Sequence, residues 1–246
     1  MTNEMAVLDL TQLPSCQLGS DAAFDELAKG ADFLKFAKLY TKGPDIDRGK
    51  IRPGHWGIPG ASKDDDITDL GEAIDVIPLA RRPKAMDSSD KSAVIVSYDE
   101  TSSAFKQIQA KSLEKDSGCQ HGISYLTYER STRQFLEIWF GNKSSRPEAK
   151  NVVPFMNLTQ ADIDRRAAND QDVTGLVPHG PAPLTLKVRV AENTKGQTWH
   201  VPAVLECSAP IKMPATDVVV KEIQRFLTIK SEGVEKVEEP KTKRAR

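Results

Sequence analysis

Alternation of hydrophobic and polar residues predicts a series of short strands. Residues 134–140 are the clearest case, because every second side chain shares a face: Leu136, Ile138 and Phe140 on one, Phe135, Glu137 and Trp139 on the other. Ser131-Thr132-Arg133 suits the loop of a hairpin with a preceding strand at 122–129. Further strands are predicted at 33–40, 73–80 and 93–98, and Pro78 favours an edge position or a bulge.

A second hairpin is predicted near the end of the chain. Residues 183–192 and 197–205 both alternate, and Asn193-Thr194-Lys195-Gly196 supplies the turn between them. One face of the returning strand carries Trp199, Val201 and Ala203. By contrast, Asp64, Asp65, Asp66 and Asp69 are predicted to form an acidic loop.

Helices are predicted at three places. Thr101 or Ser102 caps a helix over 101–115, and an amphipathic helix runs near 216–229. Thr159 followed by Asp162 marks another helix start. The predicted apolar stripes are Phe105, Ile108 and Leu113 in the first helix, and Val219, Ile223, Phe226 and Leu227 in the last.

Many short strands, few helices and no regular strand–helix alternation predict a β-rich α+β fold. We expect an OB-like Greek-key barrel or sandwich with a few peripheral helices. The charged residues among 1–30 are mostly acidic, and this segment is expected to be peripheral, either a short helix capped by Ser20 or a disordered leader. Residues 31–230 are expected to form one domain, and 231–246, which are charged and lack aromatics, a disordered tail.

Composition narrows the class of protein. The 246 residues contain 34 Lys and Arg against 35 Asp and Glu, so any nucleic-acid binding must come from local patches. No apolar run approaches the roughly 20 residues of a membrane span, and the start of the chain lacks a signal-peptide pattern. Three scattered cysteines do not make a disulfide framework. These features favour a cytoplasmic protein without membrane partners.

Motifs for catalysis are absent from the sequence. It contains no phosphate-binding loop, no nucleophile elbow and no paired-cysteine zinc motif. We therefore expect a non-enzyme with no metal and no cofactor. One alternative is a metal-dependent nuclease, in which Asp75, Glu137 and Lys143 would have to converge on one cavity.

Basic and aromatic residues recur together at the predicted strand ends. Single-stranded nucleic acid is bound by basic grooves lined with aromatic rings on which bases stack. The opposing interpretation is that strand aromatics form core and basic residues solubilise. The candidate binding residues are Lys35, Lys38, Arg81, Arg82, Lys84, Trp139, Lys143, Arg146, Lys187, Arg189 and Trp199.

The order of these signals over roughly residues 31–205 resembles tailed-bacteriophage single-stranded-DNA-binding proteins with an OB-like core. The segments that carry the resemblance are Phe33-Leu34-Lys35-Phe36, Pro53-Gly54-His55-Trp56-Gly57, Ile74-Asp75-Val76-Ile77-Pro78-Leu79 with Arg81-Arg82, Trp139-Phe140-Gly141-Asn142-Lys143-Ser144-Ser145, and Pro183-Leu184-Thr185-Leu186 with Trp199-His200-Val201-Pro202.

The resemblance implies a non-catalytic role in phage DNA replication or recombination inside the infected host cell. Basic residues such as Arg81, Arg82 and Lys143 would contact the backbone, and Trp139 and Trp199 would stack on bases. Phage or host replication and recombination proteins would be further partners, and a homo-oligomer stays open. The basic end of the chain departs from the acidic tail of many such proteins. A phage structural or assembly protein, or an inhibitor of a host protein, is the main alternative.

Overall fold

The computed structural model describes residues 35–60, 66–90, 94–114, 117–141, 146–192, 194–207, 209, 211–229 and 231–233. Strands make up 39% and helices 24%, so the predicted strand-rich α+β class is confirmed. The strands are β1 Phe36–Tyr40, β2 His55–Ile58, β3 Thr68–Gly71, β4 Ala73–Asp87, β5 Ile95–Ser97, β6 Cys119–Glu129, β7 Gln134–Gly141, β8 Leu184–Glu192, β9 Thr198–Glu206 and β10 Ser231–Gly233. The helices are α1 Pro44–Asp47, α2 Ser103–Lys111, α3 Arg146–Val152, α4 Gln160–Ala168 and α5 Thr216–Thr228, and a 3-10 helix spans Val153–Phe155.

These strands form one mixed sheet that curls strongly into an open half-barrel. Its main path runs β10-β5-β4-β6-β7-β1-β2-β3, and the β8–β9 hairpin joins it through β4. The described neighbours are antiparallel except β1 and β7, which run parallel with Phe36 opposite Glu137. β3 occupies part of the predicted acidic loop, so Asp69 lies in a strand, whereas Asp64 and Asp65 lie outside the described residues.

β4 is long because three partners line it in turn. β6 pairs with it from Val76 to Asp87, β8 pairs near its start and β5 near its end. The register shifts between Pro78 and Ala80, which confirms the bulge predicted from Pro78, since proline has no N–H to donate. The strand was predicted to end at residue 80, but β6 continues beside it and keeps the following residues extended.

The β6–β7 hairpin is confirmed, and Glu129 holds its turn. The carboxylate of Glu129 accepts hydrogen bonds from the backbone and hydroxyl groups of both Ser131 and Thr132, at 2.6–2.8 Å. Arg133 closes the turn with a positive φ of 55°. The turn therefore fixes the pairing of the two strands that form the centre of the sheet.

The main core lies inside the curl. Leu136, Ile138 and Phe140 on β7 are fully buried there, as the alternation predicted, together with Leu184 and Leu186 of β8. α3 closes part of this space through Ala149 and Val152, and the Tyr125 hydroxyl donates a hydrogen bond to the Ala149 carbonyl. The buried face of the second hairpin thus belongs to the same core as the first.

The opposite face of the sheet is covered by α5. Val219, Ile223 and Phe226 pack on Leu126 and Tyr128 of β6, which confirms three of the four predicted stripe positions. Leu227 was predicted on the stripe but is 45% exposed. The reason is geometric, because a position directly after Phe226 is turned by about 100° from it on a helix of 3.6 residues per turn.

Two of the predicted helix starts are confirmed by their caps. The Ser102 hydroxyl accepts from the Phe105 backbone N–H at the start of α2. Thr159 and Asp162 form a reciprocal capping box at the start of α4. Leu113, predicted on the apolar stripe of the first helix, is 82% exposed because α2 ends at Lys111.

The boundaries of the predicted domain can be compared at one end. Ser231–Gly233 pair with Ile95–Ser97 of β5, so ordered pairing extends three residues into the segment expected to be a tail. A strand edge on β5 is the physical reason, since its backbone groups need partners. Residues 1–34 and 234–246, including the predicted leader, lie outside the described residues.

Candidate nucleic-acid interface

The β8–β9 hairpin extends beyond the strand that anchors it. β4 pairs with β8 only from Leu184 to Lys187, and the Val188 N–H then donates to the Glu72 carbonyl. We call residues 188–192 and 198–202 the ribbon, because within the described structure these parts of β8 and β9 pair only with each other. A positive φ of 74° at Gly196 allows the tight turn at its tip.

Three of the predicted binding residues share one face at the ribbon and its base. Lys187 and Arg189 are two apart on β8, and Trp199 on β9 lies opposite Ala191. Trp199 is therefore the diagonal cross-strand neighbour of Arg189, and residues in this relation are typically separated by about 7–8 Å. Trp199 is 37% exposed, so part of the residue is in contact with solvent. This arrangement combines positive charge with an accessible aromatic ring.

Positive charge at this face is only partly neutralised. Arg189 Nη2 lies 3.0 Å from Glu148 Oε1 at the start of α3, while half of the Arg189 side chain remains exposed. Lys187 is exposed and makes no ion pair within the described part of the chain. Because exposed ion pairs are weak, a phosphate group can compete with Glu148 for Arg189.

Arg82 and Lys84, predicted to contact DNA, instead belong to a buried charge cluster with Glu137. Lys84 Nζ lies 2.6 Å from one Glu137 oxygen and Arg82 Nη2 3.5 Å from the other. The Arg82 guanidinium lies between the rings of Tyr98 and Phe226, 3.3 and 4.1 Å from their centroids. It also donates to carbonyls at the end of α5. The prediction that Arg82 contacts DNA is corrected, because a side chain that is only 5% exposed cannot reach a phosphate.

The cluster keeps Glu137 ionised under the helix. Burial alone would raise the pKa of its carboxyl, but the charge and hydrogen bond of Lys84, the Ser124 hydroxyl and Arg82 outweigh it and hold the pKa below its ordinary value. Trp139, predicted to stack on bases, is partly buried beside this cluster, with its ring 5.5 Å from Lys84 Nζ. Its buried Nε1 has no hydrogen-bond partner among the described residues.

The remaining predicted residues do not join the ribbon in one groove. Lys35 Nζ donates to Gln134 Oε1, and Arg81 is exposed opposite Tyr125 on β6. Lys38 Nζ lies 3.9 Å from Asp45 Oδ2 and 4.2 Å from the centroid of the Tyr40 ring. Burial lowers the pKa of the Lys38 amine, although the negative charge of Asp45 acts to raise it.

The predicted flexible turn after Trp139 is only partly described. Gly141 still belongs to β7, and Arg146 is the first residue of α3 instead of the end of a turn. Lys143, the most prominent base of this segment, lies outside the described residues. The turn therefore contributes no described contact to the ribbon.

The carboxylates of the nuclease alternative bind separate partners. Asp75 pairs with Arg130 at 3.1 Å and accepts from the Thr185 hydroxyl, whereas Glu137 is held by Lys84. Across the described ranges, no three His, Cys, Asp or Glu side chains are placed to hold a metal ion.

Within the described part of the chain, no helix is both long and apolar enough to cross a membrane. A cavity beside α4, lined by Arg166 and Glu206 among others, was missed by the sequence analysis, because an arginine in a polar helix carries no signal of burial.

Comparisons of the chain with protein-family models, curated proteins and solved structures each find no match.

Proposed function

We propose that this protein binds single-stranded DNA without catalysis, through the face of the ribbon that carries Lys187, Arg189 and Trp199. The observation that supports it most directly is the shared face of two exposed cations and an exposed indole. Cations draw the phosphate backbone by releasing its counterions, and an indole stacks on any base for about 1–3 kcal/mol. The interface requires no base-specific contact.

The frame behind the ribbon supports the proposal in general terms. Strongly curled, strand-rich sheets with protruding hairpins suit extended ligands, and the proposed fold type remains an OB-like barrel. The resemblance to phage single-stranded-DNA-binding proteins adds the context of DNA replication or recombination in the host cytoplasm. The buried cluster at Glu137 is excluded from the interface, so fewer cations contact DNA than the sequence alone suggests.

Fluorescence anisotropy of labelled oligo-dT tests the function directly. We expect binding at about 50 mM salt that weakens steeply toward about 200 mM, because counterion release drives association. Trp199→Ala should weaken binding by about fivefold to 150-fold, the equivalent of one lost stacking contact. Lys187→Glu should lower the slope of log affinity against log salt by at least about 1.

Lys106→Glu is the matched control, because it makes the same charge change at an exposed lysine of α2. It should leave DNA affinity close to that of the wild type. Absence of oligo-dT binding at low salt would overturn the proposal that the protein binds DNA. If Lys187→Glu and Lys106→Glu lose the same DNA affinity, the ribbon is not the DNA-binding surface. A parallel titration with oligo-U separates DNA from RNA preference.

A protein partner is the second candidate function. The other face of the ribbon exposes Val190 over 62% of its surface, and an exposed β-branched side chain on a projecting hairpin suits a protein contact. This reading corresponds to an assembly protein or an inhibitor of a host protein. A protein-binding function is favoured if the wild type does not bind oligo-dT but co-purifies with one protein, and Val190→Asp no longer co-purifies with it.

A further inference from the structure

A small cavity lies where α4 meets the end of β9, away from the ribbon face. It has a volume of about 170 Å³. Apolar walls come from Pro154, Phe155 and Leu158. The charged walls are Arg165 and Arg166 of α4, Asp162, and Glu206 of β9. We call it the Arg166 cavity.

Arg166 is buried but has unused hydrogen-bonding capacity. The residue is 2% exposed, and its buried Nε has no hydrogen-bond partner. Its Nη2 lies 3.9 Å from Glu206 Oε1, beyond hydrogen-bond distance, and its guanidinium is 5.5 Å from the centroid of the Phe155 ring. A guanidinium carries five N–H donors, and burying donors that have no acceptor is costly. The side chain therefore offers donors to a ligand in the cavity.

The carboxylates around Arg166 are already engaged by other groups. Glu206 Oε1 accepts from Arg165 at 2.8 Å, and its Oε2 accepts from Gln171 at 2.9 Å. These hydrogen bonds and the nearby guanidinium groups outweigh burial and lower the pKa of Glu206. Asp162 accepts from the Thr159 backbone and hydroxyl in the capping box. The surplus in the cavity is one of donors, so the complementary ligand group is an acceptor with negative charge.

We propose that the Arg166 cavity binds a small organic carboxylate. Its two oxygens match the planar fork of a guanidinium, and its apolar part packs on Phe155 and Leu158. A phosphate dianion fits less well, because Glu206 and Asp162 repel its second charge and three of the walls offer no hydrogen bond. This site is independent of the DNA proposal, since it shares no residue with the ribbon.

Isothermal titration calorimetry of the full chain tests the site, with benzoate, acetate and inorganic phosphate as probes at matched ionic strength. We expect saturable binding of benzoate, weaker binding of acetate because it lacks the apolar contact, and no saturable heat from phosphate. Absence of saturable benzoate binding overturns the proposal. Tighter binding of phosphate than of benzoate overturns the assignment of an organic carboxylate.

Arg166→Met tests the role of the guanidinium. Benzoate affinity should fall at least tenfold, whereas Arg225→Met, an arginine change in the Glu222–Arg225 pair of α5 on the other face of the sheet, should leave it unchanged. Equal affinity in Arg166→Met and wild type contradicts the proposal. Arg166→Met should fold normally, because the Arg166 side chain makes no hydrogen bond to the described residues and Glu206 keeps its hydrogen bonds from Arg165 and Gln171. If it does not fold, Arg166→Lys should still weaken benzoate binding severalfold by removing the fork.

Discussion

Glu137 determines how the outer face of the sheet is built. An ionised carboxylate only 4% exposed requires counter-charges and hydrogen bonds. Lys84 and Ser124 each bind its Oε1 at 2.6 Å, and Arg82 links the same group to the end of α5. The cluster therefore joins β4, β6, β7 and α5 through one side chain. Loss of either partner leaves charge buried without compensation.

Lys84→Met should lower the free energy of unfolding by about 3 kcal/mol at neutral pH, because it removes the closest positive charge to a buried carboxylate. The pKa of Glu137 lies below its ordinary value of 4.5 in the folded protein. Its stabilisation is thus present above that pH and is lost as the pH falls through the folded pKa. The deficit of Lys84→Met should shrink under acidic conditions, where its Glu137 is protonated. Urea unfolding at neutral and acidic pH measures both values.

Lys106→Met serves as the control and should change stability by less than about 0.5 kcal/mol, since Lys106 is exposed on α2. A loss in Lys84→Met that is equally small, or that does not depend on pH, would contradict the role assigned to the pair.

The same residues show where sequence reasoning stops at this scale. Alternation correctly placed Glu137 and Trp139 on the face opposite the core of the half-barrel. It could not show that α5, more than seventy positions later, covers that face. Arg82 and Lys84 therefore look like surface bases in the sequence. The last hairpin, which carries Lys187, Arg189 and Trp199, was predicted correctly because a hairpin with a short turn fixes its own register.

At the scale of elements, β6 and β7 approach closely at one point. Gly122 lies opposite Gly141, and a Cβ atom added to Gly122 would lie 1.9 Å from the Phe140 carbonyl oxygen. Both the oxygen and the strand that carries it are held by the sheet. A side chain at Gly122 would therefore have to push the two central strands apart.

Gly122→Ala should lower the free energy of unfolding by about 3 kcal/mol or more, at the upper end of overpacking effects. Gly71→Ala is the comparison, because Gly71 has open space around it but a φ of 85°. We expect a loss of about 1–2 kcal/mol there, from backbone strain alone. Thermal or urea denaturation ranks the two variants, and a milder effect for Gly122→Ala would contradict the close approach.

Elements with strong local signals were predicted, and those that depend on distant partners were missed. Caps at Ser102 and Thr159 and the turn at Ser131-Thr132-Arg133 are local, and all three are confirmed. β3 sits in an acidic segment without alternation and is a strand only because β2 pairs with it. α3 was missed because it is short and because its burial comes from the core inside the curl.

At the scale of the whole molecule, β9 is the last strand of the branch that leaves the sheet at β4, and it pairs only with β8 in the described structure. Because the Val188 N–H donates to Glu72, Val188 and Pro202 form a pair without mutual hydrogen bonds, and the backbone nitrogen of Pro202 faces away from β8. Pro202 is buried, so the protein covers this part of the edge. Proline leaves no N–H there that would need a partner.

Pro202→Val should therefore lower the free energy of unfolding by about 1–3 kcal/mol, because it places an N–H without a strand partner at a buried position. Urea denaturation measures the loss. Ala203→Val is the control, since it adds a β-branched side chain at a position whose N–H faces β8. Equal stability of Pro202→Val and the wild type would contradict the role assigned to the proline.

The pairing of β1 with β7 has a consequence for how the chain reaches its native state. Phe36 meets Glu137 and Ala73 meets Lys187, so residues about a hundred positions apart must find one another. Closing such long loops costs entropy before any contact compensates for it. High contact order of this kind is typical of domains that fold in milliseconds to seconds. The β6–β7 hairpin is a local structure, because Glu129 fixes its turn. We expect it to form early, so that β1 and the other strands with distant partners can assemble on it.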